Sequence, residues 1–517
     1  MNLLSNTFAA FLIISLAFYY LCPKKIQWCC LLAANAVFYA FTGIGNFAFI
    51  FLSSIVTFFA ARIAGTLNDR LKAKKQELLK EDFKSEKQKT LVQKRLVLVA
   101  MLFLNVGVLA YLKYINVFIG SKTLLLPLGI SYYTFQSIAY FMDVYNSKYQ
   151  HERNFLKYFA FISFFPQLIM GPINRYNLLG KQMQKSHSFD FEKIKHGVML
   201  ILFGAMKKYA IADLLYSRVT DVLNSSNTQM PGVIIVAGIL MYAVYQYADF
   251  SGGIDMVLGI AELFGLEMQP NFKQPYFSTS LAKFWQRWHI SLGAWMRDYV
   301  FYPIALTKKM QDFGKWCNVH FGKHFGRVLP ACVANIIVFV LVGVWHGPEL
   351  HFLIWGLYNG LVIAFSDILS PAFAKLNQIL HINEKSRGMH LFRILRTFFI
   401  VNIGWYFDSI ADVSKSFVFL KNTFTKFGSL KLLLNRDYLI TIFGHISYFE
   451  SQIILVTVGT IIVFVVSVYK EKKIDVYKEI QKKNIALRWL AYYIPLILVI
   501  LSFSFASGDS GFMYAQF

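Results

Sequence analysis

The sequence predicts an all-α polytopic membrane protein, and three observations carry that prediction. Of 517 residues, 56% are hydrophobic and 17% aromatic, and only 15% are charged, against roughly 25% charged in soluble domains. Apolar runs long enough for a helix to cross a bilayer, about 20 residues each, recur at 3–21, 96–119, 232–248, 330–345, 452–469 and 489–506. Counting similar stretches gives about ten to twelve transmembrane helices, because backbone groups in lipid must find partners within the span. The third observation is where the charge sits. The formal net charge is +24, yet the lysines and arginines cluster in short loops between apolar runs, the pattern of the positive-inside rule. That excludes nucleic acid as the reason for the basic balance and leaves anionic membrane lipid as the neighbour.

Each element follows in chain order. The run 3–21 lacks a basic leader and is followed by Pro23, Lys24 and Lys25, so it is expected to stay in the mature chain with its end inside and its start outside. Residues 62–95, with TLNDRLKAKKQELLKEDFKSEKQKTLVQKR at their centre, alternate bases with acids and predict a solvated, helical cytoplasmic loop. The second basic stretch, YKEKKIDVYKEIQKKNIALR at 469–488, belongs on the same face. Three apolar runs carry proline or glycine: LLLPLGISYYTFQ (124–136), FFPQLIMGPIN (164–174) and YADFSGGIDM (247–256). They predict broken or re-entrant helices around a central site, since interrupted backbone is tolerated at membrane depth where protein or a wet cavity surrounds it. Cys22, Cys29, Cys30, Cys317 and Cys332 show neither zinc spacing nor a disulfide framework and read as small apolar residues. No repeat of about 20–50 residues is visible, so residues 1–517 are expected to form one multi-span domain with its core motifs at 124–360.

Two stretches carry the chemistry. In FWQRWHISLGAWMRDYVFYP (284–303), helical spacing brings Trp285, Trp288 and Trp295 near one face and sets Arg287 and Arg297 away from it. This predicts an interfacial helix, its basic side toward headgroups or an anionic ligand; a plain membrane anchor has the same periodicity. His289 stands among bulky apolar neighbours. In IIVFVLVGVWHGPELHFLIWGLYNG (336–360), His346 follows an apolar run that reaches the bilayer interior, where an ionisable group is a functional candidate. Pro348 suits the first position of a new helix and Gly347 the turn, so His346 is expected at a helix break. Free N–H groups there suit an oxyanion, and a neutral imidazole suits proton abstraction from a hydroxyl. His351 falls about 140 degrees around a continuous helix and need not share the site. His289 and His346 lack a zincin pattern and an adjacent acid or thiol, so no metal is expected. Ser251 in DFSGG lacks the order of a nucleophile elbow. Asp249, Asp255 and Gln136, in the interrupted segments, are expected to orient the histidines.

The segments LPLGISYYTFQ, FFPQLIMGPI, YADFSGGIDM, FWQRWHISLGAWMRDYVFYP and GVWHGPELHFLIWGLYNG, in this order, resemble the signatures of the membrane-bound O-acyltransferases. The nearest branch is the bacterial one of alginate O-acetylation and teichoic-acid D-alanylation. The resemblance covers residues 124–360 and implies a ring of tilted helices around a thin wall, with an outer funnel and a cytoplasmic donor entrance in a bacterial cell membrane. It implies that His346 is the catalytic histidine and His289 the second one. Arg287 and Arg297, with Trp285, Trp288 and Trp345, are the substrate-binding residues it suggests, Arg287 or Arg297 holding donor phosphates. The donor it implies is acetyl-CoA or another acyl thioester, with no bound cofactor.

The closing GFMYAQF resembles a C-terminal motif of bacterial envelope acylation systems, with Phe512, Tyr514 and Phe517 as its aromatic residues. In the D-alanyl system its tyrosine is proposed to carry the acyl group. Charge asymmetry places this tail, 508–517, on the outer face. The six residues from Gly508 to Tyr514 can extend about 20 Å, more than the roughly 15 Å from the hydrocarbon edge to the midplane, so Tyr514 can reach His346. The expected function is transfer of an acetyl group from a cytoplasmic thioester, through an acyl-tyrosine at Tyr514, to a cell-surface polysaccharide by way of an extracytoplasmic acyltransferase or serine hydrolase-like partner. D-alanyl transfer from a carrier protein to teichoic acid is the alternative within this chemistry. A polysaccharide-export transporter lacks visible paired halves, and an inert scaffold leaves His346 unexplained.

Overall fold

The computed structural model of the protein describes residues 3, 5–119, 127–443 and 449–505. Among these the fold is all-α as predicted, relieved by one isolated antiparallel bridge between Phe272 and Trp288. Seven helices among the described residues are long and apolar enough to cross a membrane: Ile44–Glu77, Lys80–Ile115, Gly232–Leu263, Lys323–His346, Leu350–Ile368, Glu450–Glu471 and Ile485–Phe503. Asn6–Leu21 is apolar but shorter. Other apolar runs lie in short helices such as Ile130–Tyr145 and Phe165–Met170.

The described residues form two compact units, one of residues up to Ile201 with Val257–Gln269, the other of Leu202–Met256 with residues 270–505. In the first unit, the mixed-charge stretch 62–95 runs through the adjoining ends of the Ile44–Glu77 helix and the helix that starts at Lys80, bridged by Lys74 Nζ and Glu86 Oε1 at 2.6 Å. The interrupted segment 164–174 and the described part of 124–136, residues 127–136, also belong here. Ile130–Tyr145 buries fourteen of its sixteen residues. The break after Ile162 is closed by Asn35, whose Nδ2 donates to the Ala160 carbonyl at 3.0 Å and whose Oδ1 accepts from the Phe165 N–H at 3.1 Å. Interrupted backbone is thus satisfied by buried side-chain amides, the condition for irregular structure at membrane depth.

The third segment behaves differently. YADFSGGIDM does not break a helix; it lies inside the continuous Gly232–Leu263 helix. Its glycine serves close approach instead: a Cβ at Gly252 would meet the Gly204 carbonyl oxygen at 2.8 Å. In a helix interior glycine is weakly unfavourable, not a stop, and packing decides the outcome.

In the second unit the Lys323–His346 and Leu350–Ile368 helices form a hairpin whose backbones nearly touch. A Cβ on Gly343 would collide with the Phe352 carbonyl oxygen, and one on Gly356 with the Phe339 carbonyl oxygen. Small residues let membrane helices pack this closely when no hydrophobic effect drives them together. Gly356→Val is therefore expected to destabilise the purified protein by about 1–3 kcal/mol through overpacking, read as a lower melting temperature in detergent. Gly388→Ala, where nothing lies within 4 Å of the added carbon, is expected to leave it unchanged.

Candidate active site

Residues 284–303 are not one interfacial helix. The Leu281–Trp285 helix stops, His289 adopts left-handed backbone angles (φ 48°, ψ 52°), and a new helix, Ile290–Met296, begins. A non-glycine residue in that region costs on the order of 1–3 kcal/mol, so something must hold it. The holder is the segment 271–273, which runs antiparallel to 287–289. The Lys273 N–H donates to the Arg287 carbonyl at 2.9 Å, the Ile290 N–H donates to the Asn271 carbonyl at 3.0 Å, and the Ser291 N–H donates to Asn271 Oδ1 at 2.9 Å. The two Asn271 acceptors take donors that a continuous helix would turn back on itself, and the Lys273 N–H occupies a carbonyl that it would use, so the helix breaks. Trp288 consequently faces protein, at 2% exposure, against Phe272, Phe284 and Trp405 with ring centroids 5.1–5.6 Å away.

His346 is the last residue of its helix, as the sequence suggested, followed by extended Gly347. The next helix starts at Leu350, with Glu349 as its N-cap, two residues beyond the expected start at Pro348. Its first N–H donors therefore belong to Leu350 and His351. The His346 ring stacks on Phe352 at 5.7 Å and meets Trp355 edge-on at 5.3 Å. Trp345 touches both histidines, its ring 4.9 Å from His346 and 6.4 Å from His289. Trp285 closes the cluster by packing on Trp355 at 5.3 Å and donating Nε1–H to Asn359 Oδ1 at 3.0 Å. The structure thus gathers His289, His346, Trp285 and Trp345 into one aromatic cluster. Both histidines are buried. His289 lies outside the candidate spans, and burial pushes its imidazole down to about 3, which leaves it neutral at physiological pH.

Arg287 makes a forked ion pair with Glu471, Nη1 2.9 Å from Oε2 and Nη2 3.2 Å from Oε1. Arg297 is exposed and pairs with Asp298 at 3.0 Å. His351 turns to the Phe407 carbonyl at 2.9 Å, tying its helix to Arg387–Ser409. Gln136 sits in the first unit. Asp249 and Asp255 hold two buried lysines. Lys208 Nζ lies 2.7 Å from Asp249 and 2.8 Å from Asp213, and Lys207 Nζ lies 2.6 Å from Asp255. Tyr514, Phe512 and Phe517 lie outside the described residues.

Sequence reasoning missed Lys207, Lys208 and Asn271. The signal for the lysines was present in GAMKKYAIAD, two charges in an apolar stretch, where partners are expected. Asn271 gave no local signal. A further buried group, Asp408, accepts from the Tyr242 hydroxyl at 2.6 Å.

The membrane-bound O-acyltransferase family matches residues 147–314, a range that contains His289 and ends before His346. The chain is 30% identical over 419 residues to the probable alginate O-acetylase of Pseudomonas syringae pv. tomato, covering 78% of this chain and 71% of the relative. It is 28% identical to the peptidoglycan O-acetyltransferase of Helicobacter pylori, covering 63% of this chain and 64% of that protein. Against the teichoic acid D-alanyltransferase of Bacillus subtilis the identity is 28%, covering 54% of this chain and 68% of that one. The multi-pass helical chain in which both motif histidines share one aromatic cluster therefore belongs to the membrane-bound O-acyltransferase family and is an O-acyltransferase.

Proposed function

We propose that the protein moves an acetyl group from cytoplasmic acetyl-CoA to its own Tyr514, for O-acetylation of a cell-surface polysaccharide outside a bacterial cytoplasmic membrane. The observation that carries this reading is the pair of buried histidines joined through Trp345 at a helix break. The acetylase and acetyltransferase relatives favour acetyl as the group and polysaccharide as the acceptor.

Phenol is a poor nucleophile at its solution pKa near 10. His346 takes the Tyr514 proton as the phenolic oxygen attacks the thioester carbonyl; the carbon–sulfur bond then breaks and the proton passes to the departing thiolate. Donors in the first turn at Leu350 suit the oxyanion between these steps. His289 aligns the carbonyl of the bound donor for attack. Arg287 can reach donor phosphates only in exchange for Glu471, or alongside it.

Chain reach favours the tail's part. Phe503 ends the last described helix and packs on Tyr209 at 5.4 Å, and the eleven residues on to Tyr514 can extend about 36 Å. An extracytoplasmic acyltransferase, or a serine hydrolase-like protein, then takes the group from the tyrosine.

The test is to incubate purified protein with radiolabelled acetyl-CoA and map the label. Label is expected on the C-terminal peptide of the wild type and absent from Tyr514→Phe, which keeps the ring and removes only the hydroxyl. An unlabelled wild-type peptide, with polysaccharide still acetylated, overturns the acyl-tyrosine step. Label from D-alanyl carrier protein but not from acetyl-CoA moves the assignment to D-alanyl transfer, the activity named for the Bacillus relative.

A further inference from the structure

We infer that Asn271 is the positioning residue that fixes the tautomer of His289, with the proton on Nδ1 and the lone pair on Nε2. The inference rests on the reading that His289 takes part in acyl transfer. Asn271 is 1% exposed, and its side chain cannot be turned over freely. The Ser291 N–H, 2.9 Å away, can only donate, so the atom facing it is the amide oxygen, Oδ1. That same oxygen lies 3.4 Å from His289 Nδ1. An amide oxygen only accepts, so Nδ1 must carry the hydrogen. In a neutral imidazole the other nitrogen is then the acceptor.

The backbone makes this more than a chance contact. The Ile290 N–H on the Asn271 carbonyl, the Lys273 N–H on the Arg287 carbonyl and the Phe272–Trp288 bridge fix the register of the two segments around His289. The left-handed backbone angles of His289 aim its ring between Phe250, 4.9 Å away, and Trp345. Both of these neighbours are aromatic and present no competing charge. Asn271 therefore sets both where the ring points and which nitrogen accepts, as the outer partners of metal-bound histidines do for their ligands. A chemical role follows: Nε2 can accept a hydrogen bond from a donor group or take a proton, and it cannot donate one.

The direct readout is the ring nitrogen pattern of histidine-labelled full-length protein by 15N NMR, the His289 signal identified by its loss in His289→Gln. A protonated Nδ1 is expected, and a protonated Nε2 overturns the inference. The functional readout is acyl transfer from acetyl-CoA. Asn271→Leu, which fills the space without an acceptor, is expected to lower kcat roughly tenfold or more with KM for the donor unchanged. Asn271→Asp keeps the acceptor for the Ser291 N–H. Its carboxylate stabilises the imidazolium, so the acid limb of the rate profile is expected to move to higher pH by about one unit, with activity recovering above it. A wild-type profile in Asn271→Asp, or wild-type kcat in folded Asn271→Leu, overturns the inference if His289→Ala is inactive. If His289→Ala is itself fully active, the underlying reading of His289 fails instead.

Discussion

Replacing His346 with phenylalanine is expected to lower the rate of acyl transfer by about 10²–10⁴-fold, the usual contribution of a positioned general base, while leaving the protein folded. Phenylalanine is the sharper choice because the imidazole is packed as well as chemically placed. Its ring stacks on Phe352 and meets Trp355 and Trp345, contacts that a phenyl ring keeps and alanine forfeits. His346→Ala opens a gap among three aromatic rings and is expected to lose both activity and some stability, at the few-kcal/mol scale of large-to-small core changes. A thousandfold loss corresponds to about 4 kcal/mol of transition-state stabilisation, far beyond what a small shift of neighbouring rings explains. The measurement is single-turnover transfer from radiolabelled acetyl-CoA, with melting temperature in detergent alongside. Transfer in His346→Phe within tenfold of wild type sinks the general-base assignment, because the nitrogens would then be dispensable.

How far the site could be read in advance depended on how local its cause was. The helix end at His346 was legible because WHGP contains its own stop, although the next helix began two residues late, at Leu350. The break at His289 was not legible. It depends on Asn271, eighteen residues upstream, and no window centred on FWQRWHIS contains that partner. The glycines of DFSGG misled for a related reason. A glycine that ends a helix and one that admits a neighbouring backbone look alike in sequence, and only the approach of Gly204 to Gly252 separates them. The buried lysines were hidden by the rule applied at 62–95, which reads positive charge as the mark of a loop and so passed over Lys207 and Lys208. Two of their three acids, at 249 and 255, lie more than forty residues away; the third, Asp213, is five residues from Lys208.

Those lysines carry the second large expectation. Asp249→Ala should destabilise the protein by about 3–5 kcal/mol, the cost of breaking a buried ion pair by removing one partner. Asp255→Ala should cost less. The difference lies in what water can repair. The Asp249 side chain is 1% exposed and its lysine 2%, whereas Asp255 is 17% exposed, so the charge left on Lys207 can be partly resolvated and retains a hydrogen bond to Ser251 Oγ at 2.9 Å. Lys208 keeps Asp213, which is 16% exposed and 2.8 Å away, and this places its loss toward the lower end of the range. Both ion pairs clamp the π-helical turn Met206–Ala212 to the Gly232–Leu263 helix, beside the Gly204–Gly252 contact. That helix also carries Phe250, whose ring meets His289. Replacing both partners, Lys208→Met with Asp249→Leu, should recover part of the loss, since an apolar pair avoids the desolvation that an orphaned charge cannot. The recovery cannot be complete, because Asp213 then loses its cation. Unfolding in detergent measures all three variants. If Asp249→Ala is as stable as wild type, or the double variant less stable than Asp249→Ala, the ion pair is not what holds the turn to the helix.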